Sequence, residues 1–214
     1  MSTPAISTAL IHHPYRPPGG FAAPQMPAYR AATVLFPSVA AMRSRQWKDK
    51  SGYTYGLHGT PSTFTLEERL CTLEGGAQCL LASSGLAAIS NVSLALLRAG
   101  DEVLIPDNAY GPGKELARQE LAHWGITHRF YDQADAAGLA AMIGPATKLV
   151  WLEAPGSITM EFPDLRALVR IARERGILIA LDNTWGAGIA FDAFDLGEGL
   201  AADISAHALT KYPS

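Results

Sequence analysis

The chain has 214 residues, 48% of them hydrophobic and 17% charged, enough for one sizeable domain with its own core. A formal net charge of -3 and a pI near 6.1 give nucleic acid or an anionic membrane nothing to bind, so neither is an expected partner. No apolar run reaches the roughly 18 residues a membrane span needs, and the N-terminus lacks the pattern of a secretory signal; a cytoplasmic protein is expected.

The first 52 residues are rich in Pro, Ala and Tyr and form an N-terminal arm in this reading. His13 to Gly20 is broken by prolines and glycines and reads as extended, with a short helix over Ser38 to Gln46. The domain proper runs over 53–214. Helix is expected over Thr63 to Leu73, with Thr65-x-x-Glu68 as a capping box. A short apolar stretch, Gln78 to Ala82, precedes a helix over Gly85 to Arg98 that closes at Gly100. Strands follow at Glu102 to Pro106, Thr127 to Tyr131, Lys148 to Glu153, Ile177 to Asp182 and Asp203 to Ala206. Between them the pattern gives helices over Gly113 to Trp124, Ala134 to Ile143 and Asp164 to Arg175.

Runs such as Leu149-Val150-Trp151-Leu152 and Ile177-Leu178-Ile179-Ala180-Leu181 are apolar without alternation. Strands buried on both faces read this way, so the fold class is α/β, a mostly parallel sheet with helices on both faces. Ligands of such sheets bind beyond the carboxyl ends of the strands, and the polar residues of this chain gather there.

Several familiar sites are missing. No G-x-G-x-x-G follows a strand, and Gly111-Pro112-Gly113-Lys114 lacks both the Ser/Thr and the upstream glycine of a phosphate loop. No H-E-x-x-H occurs. Cys71 and Cys79 lack the further ligands and tighter spacing of a zinc site and are expected as reduced thiols; no metal is expected.

Four other features suit a single cofactor. Ser83-Ser84-Gly85-Leu86 ends a strand and opens a helix, a place where free amides and the helix dipole favour a phosphate. Tyr110, after Asn108-Ala109, offers an aromatic face to a flat ring. Asp182 ends a buried strand, and a carboxylate there wants a cationic partner such as a protonated pyridine nitrogen. Thr210-Lys211 follows the last strand, where a desolvated lysine becomes a nucleophile and proton carrier. Taken singly, the first, second and fourth fit better a Ser-Gly turn, a packing tyrosine and a surface lysine, and Asp182 fits equally an N-cap or salt bridge. Their order along the chain is what favours the cofactor.

With these residues in view, the sequence resembles the Cys/Met-metabolism family of pyridoxal-phosphate enzymes, which have the fold type I (aspartate-aminotransferase-like) large domain. The matching stretches are Tyr53-Thr54-Tyr55-Gly56, Leu73-Glu74-Gly75-Gly76-Ala77, Ser83-Ser84-Gly85, Asn108-Ala109-Tyr110, Glu153 to Glu161, Asp182-Asn183-Thr184-Trp185 and Leu209-Thr210-Lys211-Tyr212. Within the family, Pro155-Gly156-Ser157-Ile158-Thr159-Met160-Glu161 and Asn183-Thr184-Trp185 resemble the bacterial cystathionine β-lyases.

The resemblance implies pyridoxal 5'-phosphate as cofactor. By position it makes Lys211 the Schiff-base lysine, Asp182 the partner of the pyridine nitrogen and Tyr110 the stacking ring. It brings Gly85, Leu86 and Thr210 to the phosphate, with Ser84 beside them, and Tyr55 across from a neighbouring subunit. Tyr110 and Tyr55 join Lys211 as the catalytic candidates.

It further implies a carbon–sulfur β-lyase that splits cystathionine into homocysteine, pyruvate and ammonia in methionine biosynthesis. The partners implied are a sulfur amino acid and other copies of the chain, in a homodimer or homotetramer. Other members of the family (γ-lyase, γ-synthase, cysteine-S-conjugate β-lyase) and an inactive truncated fragment are the alternatives. Three departures stand out. Leu57 takes the place of a common phosphate-binding Arg, with His58 next to it, and Ala208 replaces a common Ser. The sequence ends three residues past Lys211, where the family continues into a C-terminal domain.

Overall fold

A computed structural model of the protein describes residues 27–46 and 50–212. The chain forms two compact units, 1–62 and 63–214. The expected extended arm at His13 to Gly20 lies outside the described residues.

In the first unit a short helix, α1 (Val39–Arg43), occupies part of the expected Ser38 to Gln46. Ser38 caps it, its hydroxyl accepting the Ala41 N–H at 3.1 Å. Farther along, the Thr54 hydroxyl meets His58 Nδ1 at 3.1 Å, and the Tyr55 and His58 rings meet edge to face at 5.6 Å.

The next helix, α2 (Pro61–Glu74), starts earlier than expected. Proline at a first helical position sets φ and gives up no bonded N–H, so the helix begins there. The expected capping box at Thr65 and Glu68 is therefore corrected: both residues lie inside the helix. The stretch Gln78 to Ala82, apolar but short, is not a strand. Its Leu81 N–H goes to the Glu67 side chain at 3.0 Å and Leu80 is 80% exposed, whereas a strand needs a ladder partner.

From here the alternation holds. Helix α3 (Gly85–Leu96) leads to β1 (Glu102–Pro106), then α4 (Gly111–Leu116) continues as a π-helical stretch over Ala117–Leu121. Strand β2 (Thr127–Tyr131), α5 (Ala136–Met142), β3 (Thr147–Glu153), α6 (Leu165–Glu174), β4 (Leu178–Asp182) and β5 (Ile204–Ala206) complete the unit. The boundaries of β1 and β2 coincide with the expected ones. Helix α6 shows why the pattern was readable: its buried Leu165, Leu168, Val169 and Ala172 fall at three- and four-residue spacing. Gly176 then ends the helix in the left-handed region at φ 67°.

The five strands form one sheet in the order β2-β1-β3-β4-β5, every pair parallel. Side chains alternate between two apolar layers. Leu104, Val150, Leu152, Ile179 and Leu181 pack with α6 residues Leu168 and Val169 on one face. Val103, Ile105, Leu149, Trp151 and Ala180 pack on the other with Ala117, Leu121 and the half-buried Ile89 and Val92 of α3. Both faces are thus covered, which is why the central strands are apolar throughout.

At the opposite end from the strand carboxyl termini, Glu102 accepts two hydrogen bonds from the Arg129 guanidinium, at 2.7 and 2.8 Å, and one from Thr147 at 2.6 Å. This clasp ties the first residues of β1 and β3 to the middle of β2. The Arg129 donors hold the Glu102 carboxyl below the ordinary carboxylate range, against the opposing effect of burial.

Candidate active site

The parallel order places the ends of β1, β3, β4 and β5 along one edge of the second unit, and Tyr110, Asp182, Thr210 and Lys211 lie at those ends or on the segments leaving them. Asp182 is the last residue of β4 and is buried. The pattern Asp182-Asn183-Thr184 folds back on itself: the Thr184 N–H and hydroxyl both donate to Asp182 Oδ1, at 3.0 and 2.5 Å. Burial pushes the Asp182 carboxyl up, opposed by the Thr184 donors and by the nearby His207.

Thr184 also reaches the next segment. Its hydroxyl oxygen accepts the Ala208 N–H at 2.9 Å, and the Lys211 N–H donates to the Ala208 carbonyl at 3.1 Å. The turn that carries Thr210 and Lys211 is therefore tethered to Asp182 through one threonine. Lys211 itself is exposed.

Ala208 meets the predicted phosphate turn as well. A Cβ on Gly85 would lie 2.8 Å from the Ala208 Cβ and 3.2 Å from its Cα, closer than packing permits. Glycine at the start of α3 thus lets the helix N-terminus approach the segment before Lys211. Ser84 caps that helix, its hydroxyl oxygen accepting the Ala87 N–H at 3.0 Å, while the Ala88 N–H goes to the Ser84 carbonyl at 3.0 Å. The amides of Gly85 and Leu86 are first-turn donors, for which a helix supplies no acceptor of its own.

Tyr110, 39% exposed, precedes α4. It shares a cleft with Asp182, Glu153, Ser93, Ile89 and Trp151. Its amide donates to Glu153 Oε2 at 2.8 Å. The loop before it is fixed through Asn108, whose side-chain amide donates to Thr159 Oγ1 at 3.0 Å and Glu161 Oε2 at 3.2 Å. Gly156 makes room for that amide, since a Cβ there would come within 2.4 Å of Asn108 Nδ2. The Gly156 to Glu161 motif is thereby a clamp on the Tyr110 loop.

Tyr55, also predicted, belongs to the first unit and is 41% exposed. In the second unit the structure brings Asp182 and Tyr110 to one cleft, and Gly85 and the Thr210-Lys211 turn to either side of Ala208. Sequence reasoning missed Thr184, Glu153 and the buried pair Glu74 and His207. Thr184 was findable from the Asp-x-Thr turn pattern. Glu153 was findable only from strand register, which sets it beside Asp182. The contact of Glu74 Oε1 with His207 Nε2, and its 3.0 Å bond from Asn183 Nδ2, join residues too far apart in sequence to be read.

Residues 7–214 match the family described as Cys/Met metabolism PLP-dependent enzyme. The chain belongs to this family. Among relatives, a cystathionine beta-lyase of Bordetella avium is 42% identical over 97% of this chain and 52% of its own length. An L-methionine gamma-lyase of Pseudomonas putida is 33% identical over 99% of this chain and 52% of its own length. A crystal structure of a putative O-acetylhomoserine (thiol)-lyase of Campylobacter jejuni, with N'-pyridoxyl-lysine-5'-monophosphate, superposes with a TM-score of 0.77 at 26% identity. That match covers 87% of this chain and 45% of the other.

The chain spans about half the length of these relatives. The fold is that of the fold type I pyridoxal-phosphate enzymes, and the family's cofactor is pyridoxal 5'-phosphate. Among the described residues no helix is long and apolar enough to cross a membrane, and no group of three His, Cys, Asp or Glu residues could hold a metal ion. Cys71 and Cys79 are not joined in a disulfide, and the Cys71 thiol donates to the Gly76 carbonyl at 2.9 Å.

Proposed function

We propose that the chain is the cofactor-binding part of a carbon–sulfur β-lyase that releases homocysteine, pyruvate and ammonia from cystathionine, a cytoplasmic enzyme of methionine biosynthesis assembled from two or four copies. The observation that carries this reading is the tether from Asp182 through Thr184 to Ala208. It ties an anionic strand end to the turn bearing Lys211, beside a helix N-terminus.

The donor set fits pyridoxal phosphate. The amides of Gly85 and Leu86, with the hydroxyls of Ser84 and Thr210, suit a phosphate. Asp182 is a buried carboxylate whose hydrogen-bond donors do not fully offset its desolvation, and a cationic ring nitrogen would complete its surroundings. Tyr110 supplies an aromatic face at the mouth of the same cleft. Lys211 supplies the amine that holds the aldehyde. The bound cofactor supplies an electron sink for charge developing next to the substrate's amino group.

The chain's own residues do the rest. Asp182, held by two Thr184 donors, would pair with the ring nitrogen and fix the ring's orientation. Lys211 would take the proton from the substrate's α-carbon. Tyr110 covers the ring and excludes water from one face. Tyr55 reaches the phosphate or substrate of a neighbouring subunit.

The deciding experiment is an absorbance scan of the purified chain with pyridoxal phosphate, alongside Lys211→Ala. The expected result is a visible band trapped by borohydride in the parent and absent from the variant; identical scans would refute Lys211 as the anchor. A second reading, γ-elimination, draws on the similarity to the gamma-lyase. With cystathionine and the full-length protein, β-elimination yields pyruvate and γ-elimination yields 2-oxobutyrate, and product analysis separates them.

A further inference from the structure

Two buried carboxyl groups stand side by side at the active-site edge of the sheet. Glu153 and Asp182 are the last residues of β3 and β4 and are register partners, so their side chains leave the same face of neighbouring strands. Glu153 is 4% exposed and Asp182 9% exposed. Both line the cleft that Tyr110 borders. Two like charges this close and this dry do not both ionise freely.

The surroundings decide which one carries the charge. Asp182 has two strong donors from Thr184 on a single oxygen, and His207 adds positive potential. Glu153 has the Tyr110 amide at 2.8 Å, the Ser157 hydroxyl from the loop after β3, and only the electrostatic reach of Lys114 from α4. Lys114 is itself engaged by the Asp107 carbonyl at 2.5 Å.

We propose that Glu153 is a positioning residue that takes the one proton the pair shares, leaving the charge to Asp182, and that its protonation state sets the placement of Tyr110 through the Tyr110 amide. In acid the neutral carboxyl holds the amide with a weak acceptor. Above neutrality the carboxylate holds it more tightly and repels Asp182. The Asp107 to Tyr110 loop therefore responds to the protonation of Glu153. What this does to a bound cofactor rests on the reading above; the pairing of the two carboxyls does not.

The test needs no cofactor. In the full chain labelled with 13C at the glutamate carboxyl, one resonance titrates close to 7 and disappears in Glu153→Gln. The Tyr110 amide nitrogen shift follows the same midpoint in the parent and loses that step in Glu153→Gln, whose neutral amide oxygen still accepts the bond. Asp182→Asn removes the neighbouring charge and moves the Glu153 midpoint down by about one pH unit.

A Glu153 midpoint in the ordinary carboxylate range overturns the proposal. So does a Tyr110 step that persists in Glu153→Gln, or a midpoint indifferent to Asp182→Asn. If Glu153→Gln does not fold, the parent titration and the Asp182→Asn shift still decide. Failure of the pyridoxal phosphate scan with these titrations intact counts against the cofactor reading alone.

Discussion

At the scale of single residues, the site is held together by small side chains that allow close approach. Gly85 is the clearest case, because the space a Cβ would need is filled by Ala208. Gly85→Ala pushes the segment before Lys211 away from the start of α3. The gain in helix propensity is at most about 1 kcal/mol, against an overpacking cost of about 1–3 kcal/mol. We predict a net loss of stability in urea melts and about tenfold weaker pyridoxal phosphate binding, a difference of about 1.4 kcal/mol. Unchanged affinity would mean that the contact does not position the turn. Thr184 makes a sharper prediction. Thr184→Val removes the hydroxyl that joins Asp182 to Ala208, leaves the Ala208 N–H unsatisfied and costs about 1–3 kcal/mol, whereas Thr184→Ser retains most of the stability. The chemistry of these positions was legible in part. Asp182 and Lys211 stood out as residue types at or after strand ends, and Gly85 as the start of a helix. Of the residues that connect them, Thr184 showed only as part of an Asp-x-Thr turn pattern, and Ala208 has no mark at all, since an alanine signals nothing until the backbone brings it into contact.

At the scale of elements, β1, β3 and β4 were readable because burial on both faces leaves continuous apolar runs, and β1 and the edge strand β2 needed no adjustment. Failure came where apolarity stood without pairing, at Gln78 to Ala82, and where helix starts competed, at Thr65 against Pro61. The register of the sheet was not legible, and with it the Glu102 clasp was hidden. Glu102, Arg129 and Thr147 lie on three strands and meet only through the order β2-β1-β3. Glu102→Gln loses the charge in a paired arrangement and costs about 1.5–3 kcal/mol near neutral pH. The sign with pH follows from the lowered folded value: the stabilisation is present above the unfolded value of 4.5 and fades as pH falls through the folded one. Urea melts at stepped pH should show parent and variant converging in acid. A constant difference would mean that packing, not charge, carries the loss.

Across the whole molecule, the two ends of the sheet respond to pH in opposite directions. The Glu102 end is strengthened when its carboxylate is ionised, so it favours the folded state above 4.5. The candidate-site end is weakened by ionisation. Burial, then the Asp182 charge, raise the Glu153 carboxyl from 4.5 to about 7. Between those values the folded chain holds a proton that the unfolded chain has released, so stability falls as pH rises through that window and stays lower above it. Burial raises the Asp182 carboxyl too, which adds a contribution of the same sign. Glu153→Gln keeps the shape and the acceptor for Tyr110 but cannot ionise. The variant should match the parent in acid and exceed it above pH 7 by on the order of 3 kcal/mol, since each tenfold change in proton affinity is about 1.4 kcal/mol. Thermal or urea melts across the window would show the parent curve falling and the Glu153→Gln curve falling less. Parallel curves would mean that Glu153 titrates alike in the folded and unfolded chain. The same imbalance makes the site receptive: a cation bound beside Asp182 relieves the repulsion that the sheet edge carries, so a ligand with a positively charged ring gains affinity where the apo fold is least stable.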